Sequence, residues 1–219
     1  EIVKVTATYV FKTLKKTDSV YLDGVGMRII ESKSNVISLR ADSTRIWLKS
    51  KFKADSIYHI SFSYEARPNQ ALYFVGNQIW TQGQGKYTSH WLPSIDDMND
   101  KIEFDLAITA EPSKTVVANG KLISIERLEN KNKWHFNMEE KMSSYLVAFT
   151  IGEFEKQVIE SQSSIPIELY YTPQDSLSFE PTYRYTKQIF DFLESEIGVP
   201  YPWSNYKQVP VRDFLYAGM

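Results

Sequence analysis

The sequence contains no cysteine, which excludes disulfides, thiolate nucleophiles and cysteine-ligated zinc together and leaves the compartment open, cytoplasmic or exported. Histidine is scarce as well. His59, His90 and His135 are scattered, and none lies four residues from another, so no helix can present a two-histidine zinc face and the chain is expected to bind no metal. No apolar run approaches the roughly 18 residues that cross a bilayer, so a membrane partner is not expected. Neither sign of charge dominates: 25 Lys+Arg stand against 27 Asp+Glu, for a net charge of -2. Without a dense basic block there is nothing to follow a phosphate backbone, and nucleic acid is not an expected partner. The start, Glu1-Ile2-Val3, has no initiator methionine, basic n-region or apolar h-region, so it reads as a processed or trimmed start. G-x-S-x-G and G-K-[ST] motifs are also missing, which leaves no candidate for nucleophilic catalysis or a phosphate cradle.

What is present is alternation. With 42% hydrophobic and 14% aromatic residues the chain can build a substantial core, and up to about Pro173 its apolar residues recur with period two. Val3, Val5, Ala7, Tyr9 and Phe11 form one such series; Ile102, Phe104, Leu106 and Ile108 a second; Trp134, Phe136 and Met138 a third. Each reads as a strand buried on one face. Asn119-Gly120, between Thr115-Val116-Val117 and Leu122-Ile123-Ser124-Ile125, predicts a type I′ hairpin, since both residues tolerate positive φ. Lys131-Asn132-Lys133 marks a further polar turn. After the polar stretch Thr172-Pro173-Gln174-Asp175-Ser176 the period changes to 3.6: Tyr185, Ile189, Phe192 or Leu193, and Ile197 predict a helix with Pro181 in its first turn and Gly198 just past its end. Val209, Val211 and Phe214 then suggest a short strand. These periods divide the chain into a β domain, residues 1–175, and a partly helical segment, residues 176–219.

Two polar clusters invite chemistry, and each has a plainer reading. Asp96-Asp97-Met98-Asn99-Asp100 lacks the alternating carboxylates, the glycine and the closing glutamate of a calcium loop, so a solvated turn capping its own backbone amides is expected. Thr81-Gln82-Gly83-Gln84-Gly85 lacks GxGxxG spacing and, taken alone, is a turn or a glycine-kinked strand.

Together with the residues after it, the second cluster resembles something more specific. Thr81-Gln82-Gly83-Gln84-Gly85 and then Pro93-Ser94-Ile95-Asp96-Asp97-Met98-Asn99-Asp100-Lys101-Ile102-Glu103-Phe104 are similar to the T-Q-x-[EQ]-[AG] … P-x-x-D-[ED]-P-x-x-K-x-x-F pattern of the aminopeptidase N / leukotriene A4 hydrolase family of zinc metallopeptidases. Pro200-Tyr201-Pro202-Trp203 and Asp213-Phe214-Leu215-Tyr216-Ala217-Gly218-Met219 resemble the family's Y-P-[WY] … D-F-x-x-G-[AG]-M-E-N segment, and Tyr145 to Phe154 its S-x-Y-L-x-A-x-x-x-G-x-[FY] strand. Met98 departs from the pattern, where proline is usual, and so does Ala217, where glycine is common.

The resemblance implies a mainly β fold: a saddle-shaped β-sandwich N-terminal domain, followed by the first helix and strand of a thermolysin-like α/β catalytic domain. It implies that Gln84 accepts a hydrogen bond from the free amine of a peptide substrate, that Gln82 shares that pocket, that the Ala217 and Gly218 backbone runs beside an extended substrate, and that Met219 lines the pocket of the first substrate side chain. Pro93, Asp96, Lys101 and Phe104 match structural positions. The helical H-E-x-x-H, a third glutamate and the catalytic residues would lie beyond Met219, so zinc would belong to the parent protein and this chain alone would be inactive. The expected partners are peptides with a free N-terminus and the remaining catalytic domain. Two other functions remain open, a catalytically dead interaction scaffold and an epoxide hydrolase/aminopeptidase of the leukotriene A4 hydrolase type.

Overall fold

The computed structural model describes residues 1–214, and the fold is mainly β. Its strands are β1 (Val3–Thr13), β2 (Thr17–Asp23), β3 (Arg28–Ser32), β4 (Ser38–Ala41), β5 (Arg45–Phe52), β6 (Ser56–Ala66), β7 (Leu72–Val75), β8 (Gln78–Thr81), β9 (Lys101–Ala110), β10 (Thr115–Ala118), β11 (Lys121–Arg127), β12 (Asn132–Ser143), β13 (Phe149–Gly152), β14 (Glu155–Glu160), β15 (Pro166–Tyr171) and β16 (Tyr206–Gln208). Two helices, α1 (Phe179–Tyr183) and α2 (Thr186–Ile197), stand between the last two strands. The chain forms two compact units, the first of residues 1–73, 81–101 and 143–147, the second of 74–80, 102–142 and 148–219.

The first unit holds two three-stranded sheets, β1-β6-β3 and β2-β5-β4. β1 and β6 pair antiparallel along their whole length, Val3 opposite Ala66 and Thr13 opposite Ser56. That register places Val5, Ala7, Tyr9 and Phe11 on the same face as Ile60, Phe62 and Tyr64, where they share one core with Ile46, Leu48 and Phe52 from the other sheet. The alternation seen in the sequence is therefore the inner face of a sandwich. Tyr64 is buried in it and Tyr9 half-buried against it, and a phenol taken out of water needs a hydrogen-bond partner. Tyr9 Oη donates to the Pro93 carbonyl (2.6 Å) and Tyr64 Oη to the Trp91 carbonyl (2.9 Å).

The second unit contains the sheets β10-β13-β8-β7, β11-β12-β9 and β14-β15-β16. Here two expectations fail. Asn119-Gly120 does not close a hairpin, because β10 pairs with β13 and β11 with β12. Only Gly120 has positive φ (+76°), whereas a type I′ turn needs it at both residues. The Asn119 carboxamide accepts from Ala148 N–H instead (2.5 Å), turning the chain from one sheet to the next. The last strand also lies earlier than expected: Tyr206–Gln208 pairs parallel with Ile167–Leu169, while Val211 lies in coil and Arg212-Asp213 in a turn.

Helix α2 ends as the sequence indicates, with Gly198 at φ +72° donating its N–H to the Glu194 carbonyl. It meets the sheet through a residue outside the periodic stripe. Phe190 packs with Ile167 and Leu169 on β15, whereas Tyr185, Ile189, Phe192, Leu193 and Ile197 are all exposed, between 48% and 66%. The helix carries apolar residues on two faces, and the periodic one is not the face that meets the sheet.

Candidate functional site

Gln82, Gly83 and Gln84 follow directly on β8, and the first unit fixes them from several sides. Gln82 N–H donates to the Ala71 carbonyl (2.8 Å), and its side chain is 1% exposed. Gly83 admits no side chain: a Cβ there would run into Thr88 Oγ1 and lie 2.8 Å from the Tyr145 carbonyl oxygen. The chain then turns back. Gly85 and Lys86 both have positive φ (+87° and +86°), and Tyr87 N–H returns to the Gly83 carbonyl (3.1 Å). A lysine in that conformation costs about 1 kcal/mol or more, so the turn is held against a local preference. Gln84 is left exposed at its tip.

Chemically, the two carboxamides form a short chain of amides. Gln82 Nε2 donates to Gln84 Oε1 (3.2 Å), and Gln82 Oε1 is buried with no hydrogen-bond donor. An unpaired buried carbonyl oxygen costs about 1–3 kcal/mol, so the arrangement keeps an acceptor whose protein partner is missing. Eight residues further along the chain from Gln82 is a partly buried imidazole, whose ring packs on Tyr87. His90 Nδ1 is 2.9 Å from Asn69 Oδ1, and burial pushes its pKa below the ordinary histidine value although Asp96 acts in the opposite sense.

The supporting residues are those the sequence marks as structural, together with some it does not. Asp96 accepts from Ser94 Oγ (2.8 Å), Ser144 Oγ (3.4 Å) and Ser89 N–H (3.3 Å), and Asp97 caps Asn99. The acidic cluster is thus spent on its own turn. Thr88 Oγ1 donates to the Ser144 carbonyl (3.1 Å), tying the segment after the glutamines to the Ser144–Leu146 turn. Tyr9, Tyr64, Thr88 and Ser144 were not picked out from sequence. For the two tyrosines a signal existed, since each occupies an inward-facing strand position and its hydroxyl must reach an acceptor. Met98, where proline is usual in the motif, is exposed, and its carbonyl accepts from Ser143 Oγ (2.7 Å). Ala217, Gly218 and Met219 lie outside the described residues.

Among the described residues no three His, Cys, Asp or Glu side chains converge to hold a metal, and no helix is long and apolar enough to cross a membrane. His59 lies on β6 opposite Val10, and His135 Nε2 lies 3.2 Å from Asp105 Oδ1 on a solvent-facing strand surface.

A family model described as the peptidase M1 N-terminal domain matches residues 1–146. The chain is similar to a leucyl aminopeptidase of Saccharolobus solfataricus, 24% identical over 92% of this chain and 26% of the relative. It is also similar to the mitochondrial aminopeptidase 2 of Saccharomyces cerevisiae, 27% identical over 78% of this chain and 19% of the relative. The chain therefore spans about a quarter or less of the length of these curated relatives. Its fold matches that of an M1 zinc metallopeptidase from Deinococcus radiodurans with a TM-score of 0.81, at 14% identity, over 96% of this chain and 53% of that one.

Proposed function

Because the chain belongs to the peptidase M1 N-terminal domain family, we propose that it is the substrate-amine-recognising part of a zinc-dependent aminopeptidase that removes N-terminal residues from peptides. The observation that carries this reading is the glutamine pair: a buried carboxamide oxygen without a donor, two residues from an exposed carboxamide whose oxygen keeps a free lone pair. A substrate ammonium has three donors and is costly to desolvate, so it needs acceptors held in advance. Gln84 Oε1 supplies one, and Gln82 holds it in place through the bond from its Nε2. Both are neutral, so the charge that balances the ammonium must come from a carboxylate elsewhere in the enzyme. The described residues do not suit zinc, and the metal's ligands belong to the rest of the proposed polypeptide.

On the same reading, residues from about 176 onward open the catalytic domain, and Ala217, Gly218 and Met219 line the substrate backbone and first side-chain pocket. The exposed stripe on α2 supports this division, since five large apolar residues left to solvent on one helix call for packing partners. The deciding experiment uses the polypeptide at the length of its relatives. Gln84→Ala should lower kcat/KM on peptides with a free amine by roughly 10- to 150-fold, the worth of one hydrogen bond to a charged group, with zinc content unchanged. Full activity in a normally folded Gln84→Ala enzyme would remove the amine-binding role. A wild-type polypeptide inactive on every free-amine peptide would favour an interaction scaffold instead.

A further inference from the structure

In the second unit, a lysine side chain is spent on backbone recognition. Lys207 on β16 is half-buried; its Nζ donates to the Ala118 carbonyl (2.8 Å) and the Gly120 carbonyl (2.6 Å) and lies 5.4 Å from the Phe136 ring centroid. Asn205 Nδ2 adds a third bond to Gly120 O (3.0 Å). The acceptors sit on an unyielding corner. Gly120 is at φ +76°, and a Cβ on it would collide with the Asn137 carbonyl oxygen, so the corner lies tight against the backbone of β12. Burial pushes the Lys207 ammonium down to about 8, so the fold bears a desolvation cost that a methionine of similar length would avoid.

What the lysine provides is register. A hydrophobic side chain at 207 would pack on Phe136 without directional bonds, whereas the hydrogen bonds from Lys207 and Asn205 to the Ala118 and Gly120 carbonyls specify one alignment. The chain beyond it is tied down at successive points: Val209 packs against Val117, Phe154 and Tyr170, and Arg212 N–H donates to Gln78 Oε1 (2.8 Å). This segment runs on into Asp213-Phe214, the start of the motif that ends at Met219.

The geometry points to Lys207 as a positioning residue, whose ammonium fixes the alignment of residues 205–214 on the Ala118–Gly120 corner and thereby the course of the chain into Asp213-Phe214, where the substrate-backbone motif of the proposed enzyme begins. The functional half of this role rests on the aminopeptidase reading above; the alignment half does not, and the test separates them. In the 219-residue chain, Lys207→Met should speed amide exchange at Lys207, Gln208, Val209, Val211 and Arg212 by about tenfold or more, with exchange along β1 and β6 unchanged and the melting temperature preserved. Lys207→Arg, which keeps the donors, should restore slow exchange. In the polypeptide at the length of its relatives, Lys207→Met should lower kcat by about tenfold while Gln84→Ala acts independently. Unchanged exchange in a folded Lys207→Met chain would overturn the alignment role. Faster exchange with wild-type kinetics would overturn the functional role, and faster exchange in a polypeptide with no peptidase activity would reject the aminopeptidase reading while leaving the alignment intact.

Discussion

Gln82→Met separates a residue kept for folding from one kept for binding. Methionine matches glutamine closely in length and volume, so little packing changes at a side chain that is 1% exposed. Two polar terms change. The variant removes the unpaired Oε1, relieving about 1–3 kcal/mol of desolvation. It also removes the 3.2 Å hydrogen bond from Nε2 to Gln84; because Gln84 is exposed, its oxygen regains water and the loss is only about 0.5 kcal/mol. The first unit should therefore be more stable by about 0.5–2.5 kcal/mol, which raises the melting temperature by about 2–8 °C for a chain of this size. Urea denaturation of the 219-residue chain, followed through its tryptophans, measures the change. In the proposed full enzyme the same variant should reduce kcat/KM on free-amine peptides by about tenfold, since Gln84 loses the hydrogen bond that orients its carboxamide. A loss of stability of about 1 kcal/mol or more would refute the reasoning, for it would mean that the oxygen already has a partner in the folded chain.

Gly83→Ala should lower the melting temperature by about 4–10 °C, because overpacking against the Tyr145 backbone costs roughly 1–3 kcal/mol; adding Thr88→Ala should give only partial rescue, and an unchanged melting curve would contradict the close approach. The depressed pKa of Lys207 carries a sign: burial lowers it to about 8, with Glu168 acting to raise it and Lys156 to lower it, so between pH 8 and the unfolded lysine value the unfolded chain binds more protons. Stability should thus rise with pH by up to about 1 kcal/mol per unit from 8 to 9.5, and titration of Lys207→Met should lose that rise. Ile189→Glu should change the stability of the 219-residue chain by less than about 0.5 kcal/mol, since the side chain is exposed. In the proposed full-length enzyme, differential scanning calorimetry should show Ile189→Glu costing about 2 kcal/mol or more, as a charge would be driven into an apolar contact; equal effects in the two contexts would sink the proposed domain boundary.

How far the sequence could be read depended on how local each determinant is. Period-two alternation identified β1, β9 and β12, because in a two-sheet core each inward position is specified independently. The glycine cap of α2 was legible for the same reason, since positive φ at Gly198 is a local requirement. Pairing was not. Asn119-Gly120 has hairpin composition, yet β10 pairs with residues 149–152, a contact no local pattern encodes, while β11 turns back on β12 near the polar stretch that the sequence marks. The facing of α2 was hidden because Phe190 lies outside the most regular stripe. At the candidate site, the glutamines and the glycine between them stand out by motif resemblance alone. That Gln82 is buried with an unpaired oxygen is set by tertiary packing, which no local pattern encodes.

The phenols of Tyr9 and Tyr64 have a consequence for how this molecule can drift in evolution. Their rings belong to the hydrophobic interior of the sandwich, where other aromatics of similar volume would fill the space, while their oxygens grip the carbonyls of Pro93 and Trp91 in the connection after the glutamines. Interior and loop thus share the same two side chains. A tyrosine-to-phenylalanine exchange at either position would pass as silent by any measure of shape or hydrophobicity, yet would release the loop from its template. On the proposed function, selection for peptide recognition would extend into the sandwich interior, confining variation there to residues that touch only carbon.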